Sequence, residues 1–186
     1  MKNKKRIVET IGFQIATESA DHSALIERMI VDYHETKWCE LSILLSCLRA
    51  LALVHQLSHW TSSSEPFYGD HLLFERLYNG IVPEIDQVAE KAVGMGGPVM
   101  LHPVHQVAHE ALLVATMCPH NDGIPTAEEL ASRSYEAEMH FMGVIEALAD
   151  RMQNNGSWSL GVENMLGEIA DNHEASLFLL KQRVGR

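Results

Sequence analysis

Cysteines, basic residues and long apolar runs are all scarce in this chain of 186 residues. Its three cysteines, Cys39, Cys47 and Cys118, are an odd number at wide spacing, which argues against a disulfide framework and against a cysteine zinc site. No uninterrupted apolar run reaches about 18 residues, so we expect no transmembrane helix. The N-terminal segment is basic but lacks an apolar stretch, so we expect no secretory signal and a cytoplasmic location.

Basic residues are concentrated at the two ends of the chain. Residues 1–6 contain four of them and residues 181–186 contain three, whereas residues 7–180 carry seven bases against 25 acids, a net charge of −18. Such an acidic body repels nucleic acid and attracts cations. Any DNA binding would therefore come from the basic ends, above all from the N-terminal one. Alternatively, that end is only a solubilising tail.

The apolar residues recur at the spacing of helices. Residues 24–62 contain no glycine or proline, which predicts one very long helix or two helices in line. Further helices are predicted from Pro66 to about Met95, with a kink near Pro83, and from Pro103 to Met117. A capping box at Thr126 starts a helix that ends near Met152, and the last helix covers about 159–184. No segment alternates long enough to predict a strand.

This arrangement predicts an all-α fold: a four-helix bundle with one long crossover that carries a short extra helix. Residues 1–20 are interpreted as a basic tail and residues 21–184 as a single domain. The length of the chain suits one domain with a well-formed core.

Two pairs of metal-binding residue types share one face of the second long helix. His71 precedes Glu75 by four residues, and Asp86 precedes Glu90 by four. Glu75 and Asp86 are about 16 Å apart along the helix axis, too far to bind one metal ion within one chain. Either the pairs are unrelated surface residues, or two copies of the helix lie antiparallel across a twofold axis and form two equivalent metal sites.

The same region resembles the DNA-protection-during-starvation (Dps) miniferritins. The resemblance rests on a His-Trp pair, a second histidine twelve residues after the first and a carboxylate four residues later. An Asp-x-x-Ala-Glu motif and a Gly-Gly pair that ends the helix complete it. In this chain these are His59–Trp60, His71, Glu75, Asp86, Ala89–Glu90 and Gly96–Gly97. The match is specific over about residues 50–97 and looser at His173–Glu174 in the last helix.

The resemblance implies a ferritin-like bundle assembled as a hollow dodecamer, with ferroxidase sites between twofold-related subunits. His59, His71 and Glu75 of one subunit and Asp86 and Glu90 of the other would bind iron at a mono-iron or di-iron centre, with zinc a further occupant. Trp60 would correspond to the aromatic lining. Fe(II) would be oxidised by hydrogen peroxide or oxygen, and the ferric product would be stored.

Several features depart from the family or remain outside it. Glu75 stands where many members have aspartate, and Lys91 replaces the usual arginine. The segment before the bundle is long enough for an additional helix over about 21–34. His102, His105 and His109 lie on one helix face and are interpreted as polar packing or surface residues, with accessory metal binding as the alternative. His55 is the better auxiliary candidate, although a core histidine is the simpler interpretation.

Three functional hypotheses follow. The first is a Dps-like ferroxidase that stores iron and protects against oxidative damage. The second is a DNA-compacting shell in which iron chemistry is secondary or lost, and the third is a structural bundle that kept the shell without the activity. Ferritins with a di-iron centre inside one bundle fit poorly, because the last two helices contain no Glu-x-x-His motif.

Overall fold

The computed structural model describes residues 22–31, 37–118 and 123–185. All the regular elements in this part of the chain are helical, so the predicted all-α bundle is confirmed. The predicted basic tail, residues 1–20, lies outside the described residues. The helices are α1 (His22–Ile30), α2 (Cys39–Thr61), α3 (Phe67–Gly96), α4 (Pro103–Met117), α5 (Ala127–Asn154) and α6 (Leu160–Val184), and a short 3-10 helix covers Pro98–Leu101.

The helices begin and end where local chemistry favours it. The Thr126 hydroxyl accepts from the backbone N–H of Glu129, and the Glu129 carboxylate accepts from the N–H of Thr126, which confirms the predicted capping box. The Ser159 side chain caps α6 in the same way by accepting from the N–H of Val162. Gly97 ends α3 with a φ of 82°, a value that favours glycine. As predicted, α3 continues through Pro83.

The prediction of one long helix, or two in line, over residues 24–62 was wrong. Trp38 has a left-handed φ of 74°, and α2 starts only after it. His22 on α1 contacts His140 on α5, and Glu27 further along α1 contacts Arg151 further along α5, so α1 runs parallel to α5. By contrast, α2 runs antiparallel to α5. Glu40 near the start of α2 bonds to Arg151 near the end of α5, and His55 later in α2 bonds to Glu138 earlier in α5. The chain therefore reverses between α1 and α2, and α1 packs as an additional helix on the bundle.

The bundle proper consists of α2, α3, α5 and α6, with α4 packed against α2 in the crossover. Helix α2 is buried on most of its circumference, and Leu44, Leu48 and Leu51 are fully or almost fully buried. Helices α2, α3, α5 and α6 all contribute to the main core. Each of these four helices therefore has a core-facing stripe on which a polar residue would be buried.

The expectation that no stretch could cross a membrane needs correction. By length and composition alone, α2 is such a helix among the described residues, with a mean hydropathy of 1.5 over an 18-residue window. Of that window, 72% is buried inside the bundle. The apolar character of α2 is thus accounted for by its place in the protein core.

Candidate metal centre

His59 and His71 lie side by side where α2 ends and α3 begins. The Nδ1 of His59 donates to the backbone carbonyl of His71 at 2.9 Å, and the Nδ1 of His71 donates to the carbonyl of His59 at 3.1 Å. A carbonyl only accepts, so in each neutral imidazole the proton is on Nδ1 and the lone pair is on Nε2. A hydrogen bond from Nδ1 to a carbonyl orients the ring and leaves Nε2 free to bind a metal.

Aromatic side chains surround the two imidazoles. The rings of His59 and His71 are stacked with centroids 3.8 Å apart. Tyr78 packs edge-on against His59 at 5.4 Å, and Phe67 lies 5.0 Å from His71. Trp60, predicted from the resemblance as the aromatic lining, is 63% exposed in the single chain. Within one subunit, Tyr78 and Phe67 are therefore the aromatic neighbours of the pair.

The three predicted carboxylates are not gathered around this pair. Glu75 is half-buried on α3, whereas Asp86 and Glu90 are exposed further along the same helix. Glu90 lines a cleft of about 640 Å³ together with Lys91 and Glu168. Among the described residues, no three His, Cys, Asp or Glu side chains are arranged to hold a metal ion. One chain thus brings together two of the five predicted residues, and a complete site requires side chains from elsewhere.

A second cluster, which sequence reasoning missed, lies inside the bundle and joins its four helices. His55 on α2 donates through Nε2 to Glu138 on α5 at 2.8 Å. His173 on α6 lies 2.6 Å from the other oxygen of Glu138 through Nδ1 and 3.0 Å from Glu84 on α3 through Nε2. Asn172 also donates to Glu84, at 2.9 Å. We call His55, Glu84, Glu138 and His173 the core network.

The charges of the core network are set by its hydrogen bonds. Burial disfavours a charged His173, but the hydrogen bonds and charges of Glu138 and Glu84 outweigh it and raise the pKa to about 9. Burial likewise acts to raise the pKa of Glu138, yet the hydrogen bonds from His173 and His55 lower it below the ordinary value. At neutral pH His173 is therefore an imidazolium that donates from both ring nitrogens to two carboxylates.

The core network is a set of buried ion pairs whose charges compensate one another. A metal ion needs deprotonated imidazoles and would have to displace protons that two carboxylates hold in place. The side chains also form a linear chain of hydrogen bonds instead of converging on one point. The sequence signal was available: Glu138 lies between Ser134 and Phe141 on the buried stripe of α5, where an acid needs a partner.

The crossover histidines form a row along α4. The ring centroids of His102 and His105 are 4.4 Å apart, and those of His105 and His109 are 6.3 Å apart. His102 is exposed, whereas His109 is buried. The row thus runs from the surface into the bundle, and accessory metal binding by it stays a prediction.

Comparisons with known proteins agree with the sequence motifs and the helix arrangement. No family model matches the chain. A protein named nutrient stress-induced DNA-binding protein from Nostoc sp. is 25% identical over 118 residues, 62% of this chain and 60% of that protein. A protein of the same name from Synechococcus sp. is 23% identical over 119 residues, 63% of this chain and 65% of that protein. The match therefore covers less than two thirds of each relative.

Two solved structures share the fold over most of the chain. Dps from Thermosynechococcus elongatus superposes with a TM-score of 0.67 at 17% identity and covers 90% of this chain and 96% of its own. DpsC from Streptomyces coelicolor superposes with a TM-score of 0.66 at 24% identity over 80% of this chain and 83% of its own. The resemblance predicted from the sequence is thereby confirmed at the level of fold: the chain has the fold of the two Dps structures and resembles the two nutrient stress-induced DNA-binding proteins in sequence.

Proposed function

We propose that this protein is a Dps-like ferroxidase that oxidises Fe(II) with hydrogen peroxide and stores the ferric product. The observation that carries the proposal is the His59–His71 pair, whose reciprocal Nδ1 hydrogen bonds point to Nε2 as the metal-binding nitrogen of each ring. Glu75 would complete the half-site of one subunit. Asp86 and Glu90 of a twofold-related subunit would supply the other half.

The residue types suit this chemistry. Imidazole and carboxylate ligands suit iron, and negative carboxylates stabilise Fe(III) over Fe(II). Two Fe(II) ions each lose one electron to one peroxide molecule, which takes up two protons and gives two molecules of water. Because both electrons reach the same peroxide, no hydroxyl radical is released, which accounts for protection against oxidative damage.

The surface around the pair supports assembly from identical subunits. Trp60 and Tyr68 are 63% and 75% exposed, and Phe67 and Leu72 are 45% and 44% exposed. Large apolar side chains clustered beside a half-formed site are typical of a protein interface. We infer a twofold dimer with two equivalent sites and, from the resemblance, a dodecameric shell. The free thiols of Cys39, Cys47 and Cys118 are compatible with the reducing cytoplasm that we propose as its location.

Stopped-flow oxidation of anaerobic Fe(II) by peroxide tests the activity. We expect His71→Ala and Glu90→Ala each to slow the initial rate at least about tenfold, because each removes a ligand. Asp171→Ala, which removes an exposed acid from α6, is the matched control and should keep the wild-type rate. Equal rates in wild-type protein and both ligand variants would refute the proposal.

Mixed assemblies test whether two subunits share the site. If His71→Ala and Glu90→Ala chains are refolded together at equal amounts, half of the dimers combine both chains. Each such dimer has one intact and one doubly defective site, so about a quarter of all sites should recover activity. If all ligands came from a single chain, the mixture would be as inactive as its components.

DNA binding is the second candidate, favoured by the names of the two relatives and by the basic residues 1–6. The acidic remainder of the chain opposes it. We expect a gel-retardation assay at low salt to show at most weak binding, which deletion of residues 1–6 and added salt both abolish. Tight binding that survives the deletion would show that another surface contacts DNA.

A further inference from the structure

We propose that His22 and His140 form a second metal site, specific for a divalent transition-metal ion, that fastens α1 to the bundle. His22 is the first residue of α1, and His140 lies in the middle of α5. The Nε2 of His22 is 3.2 Å from the Nδ1 of His140, and the ring centroids are 4.8 Å apart. The site is independent of the one proposed for iron oxidation.

The distance between the two nitrogens suits a shared metal ion. Zinc–nitrogen bonds are about 2.0–2.1 Å long, so adjacent ligands on one ion lie about 2.9–3.4 Å apart. A metal ion could therefore replace the shared proton without a large movement of either ring. Imidazole nitrogens select zinc, copper, nickel or Fe(II) over magnesium and calcium, which defines the class of ion.

The packing around His22 leaves room for its ring beside His140. A Cβ atom built on Gly143 would lie 2.3 Å from the Cε1 of His22, so only glycine permits this position of the ring. The pair borders an open cleft of about 550 Å³ between α1 and α5. Water in this cleft could complete the coordination of a metal ion, because two nitrogens alone leave open positions.

The charge of the cleft favours a cation. Its lining contains the carboxylates of Glu27, Glu146 and Asp150 and the guanidinium of Arg151, which leaves two negative charges uncompensated.

A metal ion at this position would hold α1 against α5. Apart from the buried side chains of Ile26, Met29 and Ile30, the described contacts of α1 with α5 include the His22–His140 contact and the Glu27–Arg151 ion pair. Because the ion would bind only while α1 is docked, it must stabilise the docked state.

Hydrogen–deuterium exchange of residues 22–30, with zinc chloride as the probe, tests the proposal. The experiment uses full-length assembled protein carrying His71→Ala, which impairs the site proposed for iron. At a zinc concentration about ten times the dissociation constant, exchange in α1 should slow about tenfold. Adding His140→Gln or His22→Asn should abolish the slowing, whereas adding His105→Ala, in the crossover row, should preserve it.

Two outcomes would overturn the proposal. One is unchanged exchange in α1 when zinc is added to the His71→Ala protein. The other is equal slowing in the His140→Gln and His22→Asn variants, which would place the zinc elsewhere. Because the site proposed for iron is impaired equally in every sample, a failure of the proposed ferroxidase function would not alter either result.

Discussion

His173 binds Glu138 across 2.6 Å, although 35 residues separate them in the sequence. The contact joins α6 to α5, and the same imidazole reaches Glu84 on α3 at 3.0 Å through its other nitrogen. An imidazolium between two buried carboxylates satisfies charges that would each be costly alone. His55 adds α2, so a single chain of hydrogen bonds connects the four helices of the bundle.

The first prediction concerns the pH dependence of stability. The pKa of His173 is raised in the folded protein from its ordinary value of 6.5 to about 9. Its contribution is therefore fully present below about pH 6.5 and is lost as the pH rises through about 9. Urea unfolding should show the free energy of unfolding falling by up to about 3 kcal/mol between pH 6 and pH 9.5.

His173→Gln provides the comparison, since glutamine can still form hydrogen bonds but does not titrate. Its free energy of unfolding should change much less over the same alkaline range. An equally steep decline in the variant would assign the pH dependence to other groups.

The second prediction is that Glu138→Gln destabilises the protein by about 3–5 kcal/mol, because it leaves the charge of His173 without its closest partner. The pKa of His173, followed by the NMR titration of its ring protons, should fall toward the ordinary value. Asp171→Asn, on the exposed surface of α6, should change stability by less than about 0.5 kcal/mol. A stable Glu138→Gln protein with an unchanged His173 pKa would contradict the prediction.

Local sequence signals were sufficient to predict most of the fold. Breakers and caps are short-range features, so the capping box at Thr126 and the end of α3, predicted near Met95 and observed at Gly96, were identified correctly. The reversal between α1 and α2 was missed because no glycine or proline marks it. Trp38 takes a left-handed conformation there, which is unusual for a bulky residue and is not encoded by its type.

The core network could not be predicted from spacing. Its residues come from four helices and are each isolated in sequence, so their proximity depends on how the helices pack. The last two helices contain no Glu-x-x-His motif, so no local pattern indicates a cluster in the bundle interior, and His55 is the only member that the sequence offers as an auxiliary candidate. The position of Glu138 on a buried stripe showed only that a partner must exist.

The proposed iron site could be predicted only in halves. Spacing along α3 selected His71, Glu75, Asp86 and Glu90, and the resemblance added His59. The separation along α3 left either unrelated surface residues or a site shared with a second subunit. The structure adds the contact between His59 and His71, which depends on the turn between two helices. Asp86 and Glu90 are exposed in one chain, so their role stays a prediction until the assembly is tested.

The third prediction concerns the ion pair that holds the end of α6 against the start of α3. Arg183 donates to both oxygens of buried Asp70, at 2.6 and 2.8 Å. Arg183→Met should cost about 3–5 kcal/mol in urea unfolding, because it leaves the Asp70 carboxylate buried without its partner. The double variant with Asp70→Asn should recover part of this loss. Additive losses in the double variant would show that the two side chains are not coupled.

The fourth prediction uses two glycines to test how α1 is docked. In Gly143→Ala, the new methyl group would overlap the ring of His22, so the ring must move and its contact with His140 is lost. Losing about 1 kcal/mol of hydrogen bonding should speed the hydrogen exchange of residues 22–30 about fivefold. Gly167→Ala on α6, where a methyl group meets nothing within 4 Å, should leave this exchange unchanged and stabilise the helix by about 0.5–1 kcal/mol. Unchanged exchange in Gly143→Ala would mean that the apolar side chains of α1 alone determine its docking.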